Sequence, residues 1–454
     1  MGLFDKFRQW WWQPVVDGDF AKRVGEIELA RDYRKGKQRQ QLKVKAGQKD
    51  DNVYLNYIGK IVSISAWMLF GKGIEFDLDG DAESEPQQFI DNTWDKNHRE
   101  ILLHNLAVLG SEGGTCFLKF QPKYFDGGLT RMIVLDPKLM QIDTDQEDKE
   151  IVNQYTMMFQ IEDLNGKEKY RKQETVRNYT EDGSTTSWEV IDSEKSDSTG
   201  WKWVVTGTSI WDKDFPPIHH WQNLPDPTAV TGDPDITDDL INLQDATNRN
   251  ASNINKIIRY HAHPKTTFTG VSPESIKKIG SGPDEAVVIS EENAKVFNLE
   301  MQSELSPALE FYSILKGSMF ELAEVVDITN IKDRSGQLTN FGLRVMFFDA
   351  LSKLETKRRL YGEALEEINR RLFLISGREA VDCKVVWKDP LPTNETENSA
   401  AITQDLANGY ISKQTAAKKR GYDWEEEEER LSGEKVNDGS VGSEILKAFN
   451  QDRL

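Results

Sequence analysis

DPDITDDLINLQDATNRNASNINKIIRYHAHP, residues 233–264, carries the start, body and stop of one helix. Asp233 can cap it, and Pro234 suits its first position, where a missing N–H costs nothing. Asp235, Asp238 and Asp239 sit where the positive end of the macrodipole favours acids, while Lys256 and Arg259 sit at the end that favours cations. Pro264 forbids continuation. The apolar residues Ile236, Leu240, Leu243, Ala251, Ile254 and Ile258 form a thin stripe, and Asn242, Asn248, Asn250, Asn253 and Asn255 make the rest polar. The spacing predicts a helix that packs on one side and is wet elsewhere.

Beyond it, residues 265–302 form a small insert with short strand and helix signals. Ser306 and Pro307 then start another helix through Leu309, Tyr312, Leu315, Met319 and Leu322. A polar loop, 327–337, precedes a long helix over 338–375, with Phe341, Val345, Phe348, Leu351, Leu365, Ile368 and Leu372 on one face. Glu355 with Arg359, Glu366 with Arg370 and Glu367 with Arg371 are favourable i,i+4 pairs on it. A strand at 383–387 ends at Asp389-Pro390, helices reach about Leu431 through the acidic run 425–429, and the last twenty residues read as loose.

On the other side, residues 53–70 repeat apolar residues at helical spacing (Tyr54, Ile58, Ile61, Met68), and the break Gly71 to Gly73 leads into a strand at 74–77. A second apolar helix, 101–109, ends at Gly110 and passes through Gly113 and Gly114 into a strand at 115–120. Residues 130–222 read as β-rich, with runs at 132–135, 155–161, 188–191 and 201–205 between Asp, Gly and Ser turns. The fold class is therefore α+β.

The first fifty residues hold Trp10, Trp11 and Trp12 and a basic stretch of Arg31, Arg34, Lys35, Lys37, Arg39, Lys43, Lys45 and Lys49. The Trp cluster reads as an anchor packed against the body or a neighbouring subunit, with a membrane-interface anchor as the alternative. The basic stretch reads as a solvated helix face.

At 454 residues the chain exceeds the size at which one core keeps growing, so two or three regions are expected. Its formal charge, −19, disfavours a broad grip on a phosphate backbone, which needs clustered Lys and Arg. Cys116 and Cys383 stand far apart and outside any C-x-x-C spacing, so neither a disulfide framework nor a zinc site is indicated and a reducing, intracellular origin fits. No apolar run approaches the roughly 20 residues needed to span a bilayer. The N-terminus lacks the apolar stretch of a signal peptide, and Lys6 stands where a myristoylation signal wants Ser or Thr.

The order of elements resembles the portal protein family of tailed bacteriophages. Three segments carry the resemblance: 56–74, ending Phe70-Gly71-Lys72-Gly73-Ile74; the pair of helices around 265–302; and the tail from Trp387. That tail reads Lys388-Asp389-Pro390-Leu391-Pro392-Thr393-Asn394-Glu395, then Gly409-Tyr410-Ile411-Ser412-Lys413-Gln414-Thr415, then Gly421 and the run to Leu431.

The resemblance implies an α+β wing, a two-helix stem, a small α/β clip, a long wing helix and an α-helical crown. Residues 1–232 would form the N-terminal part of the wing, 233–262 and 304–326 the stem helices, and 263–303 the clip. A tunnel loop at 327–340, the wing-completing helix and strand at 341–393, a crown at 394–432 and a flexible tail at 433–454 follow.

It further implies a homo-oligomeric ring, a dodecamer, at one capsid vertex of the virion, assembled in the bacterial host cytoplasm. Double-stranded DNA would pass through its channel with weak, non-specific contact. The clip would dock the terminase large subunit, an ATPase motor, and later the head–tail adaptor, with the major capsid and scaffolding proteins around the ring. Asn330, Lys332, Arg334, Gln337 and Asn340 become channel-facing candidates; Lys332 and Arg334 could touch phosphate transiently or be solvated loop charges. Lys265, Lys277, Lys278, Glu291 and Glu292 become docking candidates. The rival is a peripheral membrane-associated scaffold anchored by the Trp cluster.

No chemistry-bearing motif competes. A phosphate-gripping G-x-x-x-x-G-K-[ST] loop is absent, so a motor must be a separate protein. Gly110, Gly113 and Gly114 follow a helix and enter a strand, the reverse of a dinucleotide cradle, and read as a structural turn. Asp77-Leu-Asp79-Gly-Asp81 has its Gly at the fourth position and Gln88 at the twelfth, wrong for a calcium loop. His219 with His220 and His261 with His263 lack the i,i+4 spacing of helix-borne metal ligands and read as structural. There is no G-x-S-x-G elbow, and no catalytic residue, metal or cofactor is expected.

Overall fold

The computed structural model describes residues 18–44, 50–78, 84–162, 168–179, 185–262, 265–270, 295–299, 305–327, 339–391, 395–424 and 426–431. The chain divides into two units, one of residues 1–330 and 347–390 and one of 331–346 and 391–454.

The first unit begins with α1 (Gly18–Arg34) packed on α2 (Tyr57–Phe70). Asn56 caps α2 by accepting from the Gly59 N–H (3.0 Å), and its amide also donates to the Arg34 carbonyl (2.8 Å), so one side chain closes two helix ends. Strand β1 (Ile74–Leu78) alternates buried and exposed residues, the signature of a half-covered strand. Helix α3 (Glu85–Lys96) starts at Ser84 with Pro86 in its first turn, and α4 (Arg99–Gly113) ends at Gly114 in the left-handed region, φ +70°.

Strands β2 (Thr115–Gln121), β3 (Arg131–Leu135), β4 (Met140–Thr144), β5 (Val152–Glu162), β6 (Glu168–Tyr179), β7 (Thr185–Ser196), β8 (Val204–Trp211) and β9 (Ile218–Gln222) follow. They make a three-stranded sheet of order β3-β2-β9 and a five-stranded antiparallel meander β4-β5-β6-β7-β8. After these come α5 (Asp238–Ala262), the antiparallel pair β10 (Lys265–Thr269) and β11 (Lys295–Leu299), and α6 (Ser306–Leu322). The short helix α7 (Asn340–Met346) belongs to the second unit. The long helix α8 (Phe348–Ile375) returns to the first, and β12 (Cys383–Trp387) pairs antiparallel with β1.

Helix α8 is the spine of the largest core. Leu365, Ile368 and Leu372 are fully buried on it among β1, α3, α4 and β2, each worth about 1.5–3 kcal/mol of burial. Trp94 of α3 is also fully buried and donates its indole N–H to Asn369 Oδ1 of α8 at 2.7 Å. A second core joins α1, α2, α5 and α6 through Tyr33, Ile58, Ile61, Leu240, Met319 and Phe320. A third joins the two larger sheets through Phe117, Tyr155, Trp188 and Ile218.

In the second unit, α9 (Glu395–Ala407) and α10 (Lys413–Lys419) pack together. Ser412 caps α10 by accepting from the Thr415 N–H (3.1 Å).

Several expectations are corrected. The helix expected to be capped by Asp233 begins at Asp238; Asp233, Pro234 and Asp235 precede it, because the Asp235 N–H is drawn to the Ser111 carbonyl (3.0 Å). The helix expected over 338–375 is interrupted at Phe347, and Phe341, Val345 and Phe348 are exposed while Leu365, Ile368 and Leu372 are buried. The strand expected at 201–205 begins at Val204, since Trp201 takes a left-handed φ of 61°. Arg370 pairs with Glu367 (2.6 Å); Glu366 instead accepts from the Val385 N–H of β12 (3.3 Å). Strand β6 lies within the stretch read as β-rich but is not among the runs named there; its Arg171 faces Asp192 of β7 at 3.7 Å.

The Gly110 to Gly114 turn is structural. A Cβ on Gly114 would strike the Gly232 carbonyl, and at φ +70° any L side chain is strained. Gly114→Ala is expected to lower stability by about 1–3 kcal/mol, read as a lower urea midpoint with an unchanged slope.

Candidate functional site

Helices α5 and α6, the expected stem, pack against each other. Part of the face of α5 that reads as wet is in fact buried. Gln244, Asn248 and Ser252 are fully buried, and each bonds the backbone of residues 53–57, the approach to α2 and its first residue. Ser252 Oγ accepts from the Val53 N–H (2.9 Å), Asn248 Oδ1 from the Leu55 N–H (3.0 Å) and Gln244 Oε1 from the Tyr57 N–H (3.1 Å). Asn255 extends the series by donating to the Asp51 carbonyl (3.1 Å), and Arg259 pairs with the Asp51 carboxylate at 2.6 Å.

The periods explain the match. Four helical residues advance about 6.0 Å and two extended residues about 6.6 Å, so a polar side chain every fourth position meets an N–H every second one. Asp245 adds a node. It accepts from the Tyr33 hydroxyl and the Gln41 amide, both at 2.7 Å, and burial together with this carboxylate pushes the Tyr33 hydroxyl up to about 12.

Where the chain enters α5, Asp235 is buried between two lysines of α8. Lys353 lies 3.1 Å away, and Lys357, itself buried, pairs with the other carboxylate oxygen. Burial opposes the charged carboxylate, but the two ammonium groups and a hydrogen bond from Ser111 override it and hold Asp235 well below the usual carboxylate range. Beside them Tyr361 donates to Asn223 Oδ1 (3.0 Å) and lies 3.2 Å from Cys116 Sγ. A further buried acid, Glu112 of α4, takes Arg31 at 2.7 Å and also Arg34. These two arginines of the basic stretch are thus ion-paired to the body rather than solvated, while Lys35 and Lys37 are exposed.

The exposed faces of the two helices differ in character. On α5, Asp238, Asp239, Asn242, Arg249 and Asn253 fall on one stripe and are exposed. On α6, Leu315, Met319 and Phe320 are buried, whereas Phe311 (53%), Ile314 (62%) and Leu322 (46%) are exposed on a shared face. Following α6, Asp327 is held by Lys60 (3.3 Å) and Lys316 (2.5 Å), which fixes the start of the expected tunnel loop.

Asn330, Lys332, Arg334 and Gln337 lie outside the described residues, as do Lys277, Lys278, Glu291 and Glu292. Asn340 is the first residue of α7 and Lys265 the first of β10, where it pairs with Leu299. Only these two of the ten lie among the described residues. The site residues that sequence reading missed are the buried polar ones: Gln244, Asn248, Ser252 and the Asp235 triad. Their four-residue spacing was the available signal.

Nothing described resembles a reaction centre. No group of three or more His, Cys, Asp or Glu that could hold a metal occurs among the described residues. His219 and His220 are packed against aromatic rings, and burial with the Arg371 charge lowers both, His220 to about 4. Burial pushes the Cys116 thiol up to about 12 and the Cys383 thiol to about 11. Of the stretch 77–81, read as wrong for a calcium loop, residues 79–81 lie outside the described residues.

A family model described as "Phage portal protein, SPP1 Gp6-like" matches residues 15–438, nearly the whole chain. The chain belongs to the phage portal protein family. Among solved structures, a chain in the neck of an empty GTA particle, computed with C6 symmetry, aligns at a TM-score of 0.50 and 14% identity, covering 81% of this chain and 90% of that one. A chain in the virion of a native gene transfer agent (GTA) particle covers 81% and 89% at 12% identity and a TM-score of 0.42. No curated protein sequence matches. Portal proteins are ring-forming channel subunits at a capsid vertex of the virion, through which DNA is packaged and ejected, and they are not enzymes.

The portal family gives no support to the membrane-scaffold alternative, which rested on Trp10, Trp11 and Trp12, outside the described residues. Among the described residues no helix is long and apolar enough to cross a membrane.

Removing one member of a buried ion cluster exposes the cost of the others. Asp235→Asn leaves Lys353 and Lys357 facing each other without a counter-ion and is expected to cost about 3–5 kcal/mol in urea unfolding. The folded-state carboxyl is depressed, so its contribution is complete above the unfolded value of about 3.9 and is lost only as pH falls through the lower folded value. The gap between wild type and variant should therefore stay level from about pH 8 to about pH 4 and close only in stronger acid.

Proposed function

We propose that α5 and α6 are the stem of a dodecameric portal ring, lining a channel with the acidic and amide-rich stripe of α5 turned to water. The exposed Phe311, Ile314 and Leu322 face of α6 packs against the next subunit. The observation that carries this reading is that face: three large apolar side chains exposed together on a helix whose other side is already packed. A duplex can slide past Asp238, Asp239, Asn242 and Asn253, because such a wall offers few fixed Lys–phosphate pairs to break as the DNA advances.

The remaining parts follow the family's plan. Residues 1–232 and 341–393 form the wing and 394–432 the crown, while 433–454 lie outside the described residues. The 327–340 loop, anchored at Asp327, projects into the channel, where Lys332 and Arg334 make transient phosphate contact beside Asn330, Gln337 and Asn340. The β10–β11 pair is the base of the clip, which with Lys265, Lys277, Lys278, Glu291 and Glu292 docks the terminase large subunit and later the head–tail adaptor. Major capsid and scaffolding proteins surround the ring, which assembles in the bacterial host cytoplasm.

Native mass spectrometry with negative-stain imaging tests the reading: wild type is expected as a ring of about twelve subunits with a central hole. Ile314→Asp buries a carboxylate in that contact and is expected to shift the population to folded single subunits. A wild-type chain that stays monomeric at high concentration rejects the ring, and an Ile314→Asp variant that assembles as wild type does rejects this face.

A further inference from the structure

Strand β9, Ile218-His219-His220-Trp221-Gln222, separates two cores. Ile218 and His220 face the third core, where His220 stacks on Phe117 with ring centres 5.9 Å apart and its Nδ1 shares a hydrogen bond with the Tyr155 hydroxyl at 2.8 Å. His219 and Trp221 face α8: Trp221 belongs to the largest core and meets Tyr361 edge-on at 5.7 Å, and the His219 ring lies 5.6 Å from that of Trp221. A strand covered on both faces ordinarily carries apolar residues throughout, so two adjacent imidazoles are out of keeping with the position.

Among the described residues neither ring has a counter-ion. From α8, Arg371 donates to the Ile218 carbonyl (3.4 Å) on the free edge of β9; its cation bears on both rings, and that of Arg370 bears on His219. The acids nearest those arginines are engaged by them: Glu367 pairs with Arg370 and with Arg371, both at 2.6 Å, and Asp214 acts on Arg370. From β5 comes the neutral Tyr155 hydroxyl, and from β2 the ammonium of Lys119, bound to Gln173. His219 Nε2 is enclosed with no hydrogen-bond partner among the described residues, and burial beside Arg371 pulls both imidazoles below the ordinary histidine range, His220 to about 4. Neutral, the pair suits the packing; charged, it does not.

We propose that the His219–His220 pair makes β9 an acid-operated joint, a strand that leaves α8 and the third core at mildly acidic pH while the largest core stays closed. Histidine is the side chain whose charge ordinarily changes between about pH 5 and pH 8, and a proton on either ring stands near Arg371 with nothing to offset it. Opening carries both imidazoles into water and gives up one ladder with β2 and the Arg371 contact, since β9 is an edge strand. The folded rings are neutral and the released rings titrate near 6.5, so the closed strand keeps its full stability above about pH 6.5 and loses it as pH falls. The chain leaving β9 passes Asn223, bonded by Tyr361 of α8 at 3.0 Å, and reaches Asp235, so the joint also loosens the entry of α5. It lies within one subunit and does not depend on the ring.

Hydrogen exchange of the full-length chain tests the joint from about pH 8 to about pH 5, a range in which ordinary carboxylates stay ionised. It is read on peptides spanning 217–223 and on peptides from 364–375 of α8, corrected for the intrinsic pH dependence of amide exchange. Protection of 217–223 is expected to be level down to about pH 6.5 and then to fall by up to about tenfold per pH unit for each histidine, about a hundredfold for the pair, with 364–375 unchanged. His219→Gln together with His220→Gln should keep 217–223 level down to about pH 5. Should that double variant fail to fold, His219→Gln alone, on the α8 face, is expected to reduce the fall to about tenfold per unit. Wild-type protection of 217–223 that stays level to about pH 5 overturns the proposal, whatever the variants do. So does a parallel loss in 364–375, which marks opening of the whole chain, and so does a folded double variant that loses protection as the wild type does.

Discussion

A carboxylate buried between two ammonium groups holds the entry of α5 to the body. Asp235 precedes α5, Lys353 and Lys357 lie one turn apart on α8, and the backbone N–H of Asp235 is tied to Ser111 at the end of α4. Three elements distant in sequence meet at one charge. Such a cluster adds little net stability compared with an apolar substitute of the same shape, but it tolerates no missing member, so it fixes which residues of α5 and α8 stand opposite each other. From that point α8 runs on through the largest core, so the helix that receives the entry of α5 also organises that core.

Polar residues perform the second fastening as well. The Gln244, Asn248 and Ser252 series binds a half-buried backbone whose N–H groups would otherwise lie unpaired. Each bond is worth only about 0.5–1.5 kcal/mol, but leaving any one unmade costs about as much or more. The same helix thus has one apolar flank in the second core, one amide flank against residues 51–57 and one wet stripe.

Elements with strong periodicity or firm stops were legible in the sequence. Helix α6 begins at Ser306 as its Ser-Pro start implies, β12 falls at 383–387, and α2 ends at the Gly71 to Gly73 break. What was not legible has a physical cause in each case. Strand β6, EKYRKQETVRNY, is too charged to read as a strand, because its charges are satisfied across the sheet and not by alternation with a core. The amides of α5 read as solvent-facing because composition does not distinguish water from a backbone as the partner. The interruption at Phe347 carries no Gly or Pro to announce it. Of the candidate contact residues, only Asn340 and Lys265 fall on described backbone, at the start of α7 and of β10, and no sequence signal ranked them above their neighbours.

The commensurate spacing along α5 has a mechanical consequence. A seam of hydrogen bonds repeating every four helical residues has discrete seating positions, since a slip of one residue rotates every amide by about 100° away from its N–H. A load applied along α5 is therefore carried as shear by Gln244, Asn248, Ser252 and Asn255 acting in parallel. An oily interface of the same length would creep under that load; this one holds until several bonds yield together.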